Sequence, residues 1–325
     1  MQMLRRRLIA ALVAALAAPG VGAAESYPVR AIRLIVPSAA GGVADLHARL
    51  IADKLSGALG QPVVVDNRPG ASGIIGLAAA AKAAPDGYTF VIGSTSNLAA
   101  APAMGAPVSY DTQKSFEPIA LYGTTPMVLV AHPALNIATV KELIAQARVR
   151  PGALSYASGG PSSTAHFAGE LFKQATGTDL LHVPYKSPAQ VLTAVLGNET
   201  SLGFDFAETA APHIEAGKLR ALLVTGPRRV GILPAVPTAA EAGVPQLELL
   251  AWGGFLAPAG TPPDIVTRLH AELRKALNDK SVREKLERSG WQIAAGAPEE
   301  FRRFIAVEQA AWVERVKRTG ITYGR

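Results

Sequence analysis

The chain has 325 residues, 49% of them hydrophobic and 18% charged, and contains no cysteine. This length and apolar content suit one large domain or two modest ones and exclude disorder over most of the chain, while the missing thiols remove disulfide scaffolds, thiolate metal sites and cysteine nucleophiles. The formal charge of +7, from 32 Lys and Arg against 25 Asp and Glu, points at first to a nucleic acid or a membrane surface.

The N-terminus accounts for part of that charge. Arg5, Arg6 and Arg7 precede an apolar run from Leu8 to Ala18, and Pro19 and Gly20 break it before the small residues Gly22, Ala23 and Ala24. This is the layout of a bacterial secretory signal peptide, residues 1–24, with cleavage expected after Ala23 or Ala24. The run is shorter than the roughly 20 residues a membrane-spanning helix needs. Its three arginines leave with it, so the mature charge falls from +7 to +4. The nearest remaining basic cluster, Arg228 and Arg229, lacks the interleaved aromatics that stack on bases, which argues against nucleic acid. No later run of about 18 uncharged apolar residues occurs, so the mature protein is expected to be soluble.

Ile32 to Val36 and Val63 to Val65 read as strands, with an amphipathic helix from Val43 to Ala58 between them whose apolar face carries Leu46, Leu50, Ile51 and Leu55. A helix from Ile74 to Ala83, the Pro85-Asp86-Gly87 turn and a strand from Tyr88 to Ile92 follow. A second series starts with strand Met127 to Ala131 and helix Val140 to Ala147, then strand Leu154 to Ala157 and helix Thr164 to Gln174. It continues through strand Leu180 to Val183, helix Ala189 to Leu196, strand Ser201 to Phe206, a helix around Ala210 to Ala216, and strand Arg220 to Val224. Strands spaced by crossover helices make βαβ units, so two α/β units are expected. Leu247 to Leu256 reads as a return strand, which places the three helical patterns that follow, up to Val316, on the first unit.

Catalytic signatures are missing: the sequence holds no G-x-S-x-G elbow, S-x-x-K, H-E-x-x-H, P-loop or G-x-G-x-x-G. His47, His132, His166, His182, His213 and His270 form no i, i+4 pair, so no metal site is expected. Three small-residue turns at strand ends remain. Ser38, Ala39, Ala40, Gly41 and Gly42 lie between a strand and a helix N-terminus, where free N–H groups and the helix dipole favour an anion. Ser94, Thr95 and Ser96 end the Tyr88 strand. Ser158, Gly159, Gly160, Ser162, Ser163 and Thr164 surround Pro161 in a third turn with hydroxyl donors. Each alone could be a tight connection with an N-cap; together, at the carboxyl ends of strands, they mark a ligand cleft. Asp205, in the apolar strand Leu202-Gly203-Phe204-Asp205-Phe206, must find a partner, either a ligand or a structural donor. Asp45 and Arg49 read as a surface i, i+4 pair, His166 as a capping or packing residue, and Asn67-Arg68-Pro69-Gly70 as a surface turn.

An ordered series of motifs then resembles the Bug family, the periplasmic solute-binding proteins of the tripartite tricarboxylate transporter class. It includes Tyr27-Pro28, Ile32 to Pro37, Gly41-Gly42 with Asp45 and Arg49, Gly60 to Gly70, Ala84 to Thr89, Tyr156-Ala157-Ser158, Ala165-His166, His182 to Lys186, Phe204-Asp205, Ala216 to Leu222 and Leu256 to Pro262. The resemblance implies an α/β, two-lobe periplasmic binding protein fold with a hinge and an interlobe cleft. Lobe 1 is expected over residues 25–125 plus 249–325 and lobe 2 over residues 126–248. It further implies no catalysis, no cofactor and no metal, a small di- or tricarboxylate, acidic amino acid or aromatic acid as ligand, and a monomer that delivers it to a membrane permease; the alternative on the same fold is an adaptor that presents the acid to a sensor kinase ectodomain. Two departures bear on specificity: Ser38-Ala39-Ala40 stands where the family usually has Phe-Pro-Pro, and Phe206 follows Asp205 where Asn is common, which suggests a more apolar or aromatic acid. Pro161 also removes a backbone donor from its turn.

Overall fold

The computed structural model describes residues 27–323; the expected signal segment, residues 1–24, lies outside them. Alternating apolar residues in β1 (Ile32–Val36) send Ile32, Leu34 and Val36 to one side of a sheet and Ile35 to the other. Helix α1 (Val43–Leu59) covers the first side with Ile51, Leu55 and Leu59, and Gly60 in the left-handed region ends it. Its buried face differs from the expected one, for Leu46 is 52% exposed while Ala48 and Ala52 are buried. Leu46 lies on the far side from Ile51 because five residues turn an α-helix by well over a full revolution.

Strand β2 (Val63–Asn67), helix α2 (Ile74–Ala81) and strand β3 (Thr89–Ser94) complete a parallel β2-β1-β3 set. Strand β4 (Phe116–Ala131) is far longer than Met127 to Ala131. Pro118, Gly123 and Pro126 mask the first part of it in the sequence. The structure accommodates them with register shifts between Pro118 and Ala120 and between Leu121 and Gly123. A Cβ on Gly123 would lie 2.6 Å from the Gln292 carbonyl oxygen, so a close backbone approach requires that glycine.

The second series contains α3 (Val140–Val149), β5 (Ser155–Ser158), α4 (Thr164–Thr176), β6 (Leu181–Pro184), α5 (Pro188–Leu196), β7 (Leu202–Phe206), α6 (Ala207–Glu215) and β8 (Arg220–Val224). Strand β9 (Leu250–Pro258), the expected return strand, leads into α7 (Pro263–Asn278), α8 (Lys280–Arg288), β10 (Gln292–Ile293) and α9 (Pro298–Thr319).

The strand β4 joins two lobes. From Phe116 to Pro126 it pairs antiparallel with β9, and from Met127 to Ala131 it runs antiparallel between β7 and β8. Strand β9 pairs with β3, and the parallel set β7-β5-β6 extends the other side. Leu269, Leu273, Leu277 and Leu286 pack with Ile32, Leu34 and Ile51, so the C-terminal helices α7 and α8 do return to the first unit. Helix α9 touches both: Phe301 sits against Trp252 of β9, with ring centroids 6.1 Å apart, and Trp312 against Phe167 of α4, at 4.6 Å. The carboxyl ends of β1, β3, β5 and β7 converge on the gap between the lobes.

Candidate functional site

The turn after β1 is fastened from below by Asp45, which is 2% exposed. Its carboxylate accepts from Gly41 N–H at 2.9 Å, Arg49 Nε at 3.1 Å and Asn67 Nδ2 at 2.9 Å. Asn67 also donates to the Ser38 carbonyl at 3.1 Å. Burial acts to raise the carboxyl pKa, and the Arg49, Gly41 and Asn67 donors outweigh it and hold Asp45 below the ordinary range. Asp45 and Arg49 thus form a half-buried brace rather than a surface pair, and Asn67 belongs to that brace, while Arg68 pairs with Asp66 at 2.9 Å. Val43, Ala44 and Asp45 precede the first helical hydrogen bond of α1, from Leu46 N–H to the Gly42 carbonyl at 3.0 Å, so their N–H groups lack helical acceptors.

The other two turns meet across the gap. Ser96 Oγ lies 2.9 Å from Thr164 Oγ1 and accepts from Thr164 N–H at 3.2 Å. Ser72 Oγ donates to the Pro161 carbonyl at 3.1 Å, so the proline that lacks an N–H supplies an interlobe acceptor instead. Ser163 caps α4, accepting from His166 N–H at 3.1 Å. A third bridge joins α1 to α6. The Tyr122 hydroxyl, kept protonated by burial, bonds His47 Nδ1, which leaves His47 Nε2–H to donate to Glu208 Oε1 at 3.0 Å.

These contacts enclose a cavity of about 190 Å³. Of the residues expected from the sequence, Ser38, Ala39, Ser94, Thr95, Ser96, Gly159, Ser163, Thr164 and Asp205 line it, whereas Ala40, Gly41, Gly42, Ser158, Gly160 and Ser162 do not. The second group shapes the turns. Gly41 reverses the chain with φ +81° and gives its N–H to Asp45. Ser158 is fully buried on His182 Nε2 at 2.7 Å and accepts from Gly160 N–H at 3.2 Å. Ser162 turns its hydroxyl into the protein, where it is buried. Thr95 lines the cavity but its hydroxyl accepts from Trp252 N–H at 2.7 Å, a structural bond between β3 and β9.

Asp205 is 3% exposed, and its Oδ1 accepts from Phe206 N–H at 2.8 Å. Burial pushes its carboxyl up to about 7, against the lowering effect of the Phe206 and Thr209 donors. Burial also pushes His182 down to about 4 and lowers His166, whose ring lies 4.5 Å from that of His182, so His166 packs beneath the turn and does not line the cavity. The sequence reading missed His47, Tyr122, Trp291, Met127 and Lys186, all in the lining. Only the spacing of Val43, His47 and Ile51 along one helix face offered a signal, and it is equally that of an ordinary core stripe. Among the described residues no cluster of His, Asp or Glu could hold a metal ion, and no helix is long and apolar enough to cross a membrane.

A family model described as the tripartite tricarboxylate transporter family receptor matches residues 47–321. The chain belongs to this family. Its members are periplasmic solute-binding proteins built as two lobes, which agrees with the fold described above. Protein BugT of Bordetella pertussis is 37% identical over 318 residues, 97% of this chain and 98% of that protein. A solved structure of an R. palustris protein with adipate is 38% identical with a TM-score of 0.87, covering 91% of this chain and 99% of that one. The periplasmic binding protein BugD is 33% identical with a TM-score of 0.86, over 91% and 99% of the two chains.

Proposed function

We propose that this receptor captures a small organic carboxylate in its interlobe cleft and delivers it to a tripartite tricarboxylate-type permease in the membrane. The lobes that close on the ligand are residues 25–125 plus 249–325 and residues 126–248, with β4 and β9 as the hinge strands. The observation that carries this reading is the meeting of two helix starts, at Val43 and Ala44 of α1 and at Ala165 of α4, at one cavity that the Ser96–Thr164 pair and Asp205 also line. Unpaired N–H groups at a helix start are donors for an anion, and they recognise a carboxylate without a formal cation. The adipate held by the R. palustris relative supports the same class. The N-terminal 24 residues act as a cleaved signal that places the protein in the periplasm.

Calorimetric titration of refolded, ligand-free protein against mono-, di- and tricarboxylates, with neutral amides as controls, tests the reading. Saturable binding of at least one acid and none of the amides is expected. Well-folded protein that binds no acid overturns it. Reconstituted uptake with the permease pair then tests delivery, and a sensor kinase that responds to the loaded protein in place of uptake would assign it to signalling.

A further inference from the structure

The cavity follows one face of α1, where Val43, Ala44, His47 and Ile51 all line it. From Val43 to Ile51 that face is about 12 Å long at 1.5 Å per residue. Its two ends differ in chemistry. At the Val43 end stand the free helix N–H groups, and the Ser96–Thr164 hydroxyl pair lines the same cavity. Farther along, beside His47, the lining is aromatic: the Trp291 ring lies 5.7 Å from His47, 4.6 Å from Tyr122 and 6.2 Å from Phe206.

Charge is distributed as unevenly. Among the described residues, the lining holds no arginine and one lysine, Lys186, which is exposed. The carboxylate in the lining is Asp205, next to Phe206 in the chain and buried. One ligand carboxylate can therefore be met by the helix starts. A second one, reaching the inner wall, would find an acid and no cation, so a proton would have to be added to one of the two carboxyls. An apolar body meets no such demand and removes aromatic and aliphatic surface from water.

Resting on the carboxylate-receptor reading, we propose that the ligand is a monocarboxylate with an aromatic body. Its carboxylate lies at the starts of α1 and α4, and its ring lies against Tyr122, Phe206 and Trp291. Phe206 is then a specificity-determining residue: its ring is half-buried, packs against Trp291 and caps no helix with its side chain, so it is free to serve as ligand wall.

The test is a calorimetric comparison of benzoate, 3-phenylpropanoate, adipate and malate on the ligand-free mature protein at pH 7.5. At least one aromatic acid is expected to bind tenfold or more tighter than both diacids. Phe206→Asn should weaken the aromatic acids about tenfold and narrow the gap to adipate, with Phe206→Leu, which keeps an apolar side chain, falling in between. Adipate or malate binding more tightly than both aromatic acids overturns this inference and leaves the carboxylate receptor standing. Equal ligand ranking in the wild type and Phe206→Asn removes Phe206 from the specificity wall. Silence toward all four acids by folded protein overturns this inference, and only silence toward the whole series of mono-, di- and tricarboxylates overturns the carboxylate receptor as well.

Discussion

Replacing Asp205 by asparagine should make the empty protein more stable, by a margin that grows as pH rises from about 4 to about 7 and is complete above that. The amide keeps an oxygen for Phe206 N–H, which now donates to Asp205 Oδ1 at 2.8 Å, and it carries no charge into the buried site. A carboxyl that titrates at about 7 in the fold and near 4 in the unfolded chain favours the protonated fold. Between those pH values the native state binds more protons than the unfolded one, so stability falls as pH rises, by about 1.4 kcal/mol per pH unit. Below about pH 4 both states are protonated and nothing is lost; above about pH 7 the full penalty of about 4 kcal/mol is in place. Asp205→Asn should therefore raise the melting temperature of ligand-free protein by about 5 to 8 °C at pH 8.5 and leave it unchanged at pH 4, at about 2 °C per kcal/mol for a chain of this size. Differential scanning calorimetry at the two pH values is the assay. A variant that melts with the wild type at pH 8.5, or that gains equally at both pH values, refutes the assignment of a buried, unneutralised carboxyl to the cleft. Ligand ranking measured on the same variant shows whether the strain at Asp205 is retained for recognition.

Asp45→Ala strands the Gly41 N–H, the Asn67 amide and the Arg49 guanidinium, and should lower stability by about 2 to 4 kcal/mol at pH 7 and weaken ligand binding with it. Because the folded Asp45 carboxyl is held below its ordinary value, its contribution is present above about pH 4 and lost in acid, so melting curves of variant and wild type should approach each other as pH falls further. Gly169→Ala would place a Cβ 2.1 Å from the buried Tyr156 ring, and a loss of about 1 to 3 kcal/mol in urea unfolding is expected; an unchanged midpoint would show that the helix shifts without strain. Glu208→Ala removes the acceptor that His47 reaches across the cleft at 3.0 Å. A five- to tenfold weaker Kd for every bound acid, with the ligand ranking preserved, is expected if the bridge forms only on closure.

Much of the fold could be read along the chain because its signals are local. Period-two apolar runs, helix faces, the Gly60 stop and the turn at Pro85 to Gly87 each lie within a few residues of the structure they specify. Where a local signal competes with a tertiary one, the reading fails. Pro118, Gly123 and Pro126 look like breaks, yet the long strand β4 passes through all three because β9 on one side, and β10 against Gly123, hold it in register. Likewise Asp45 and Arg49 have the spacing of a solvent-exposed pair, and only the arrival of Asn67 from β2, with the Gly41 N–H, turns them into a brace.

The same division runs through the site. Sequence alone placed small residues and helix starts at strand ends and put an acid in an apolar strand, and both survive as features of the cavity, since backbone donors and buried charge follow from local chemistry. It could not say that the Gly41 N–H and the Ser158 hydroxyl are taken up within their own turns while Ser96 and Thr164 meet across the cleft. Nor could it bring His47, Tyr122, Phe206 and Trp291 to one wall, for these residues come from four separate segments of the chain. The proposed recognition of a carboxylate rests on short motifs because one helix turn supplies the donors. The rest of the cavity wall is made by side chains that become neighbours only when two lobes fold around a shared strand, and that choice belongs to the tertiary structure.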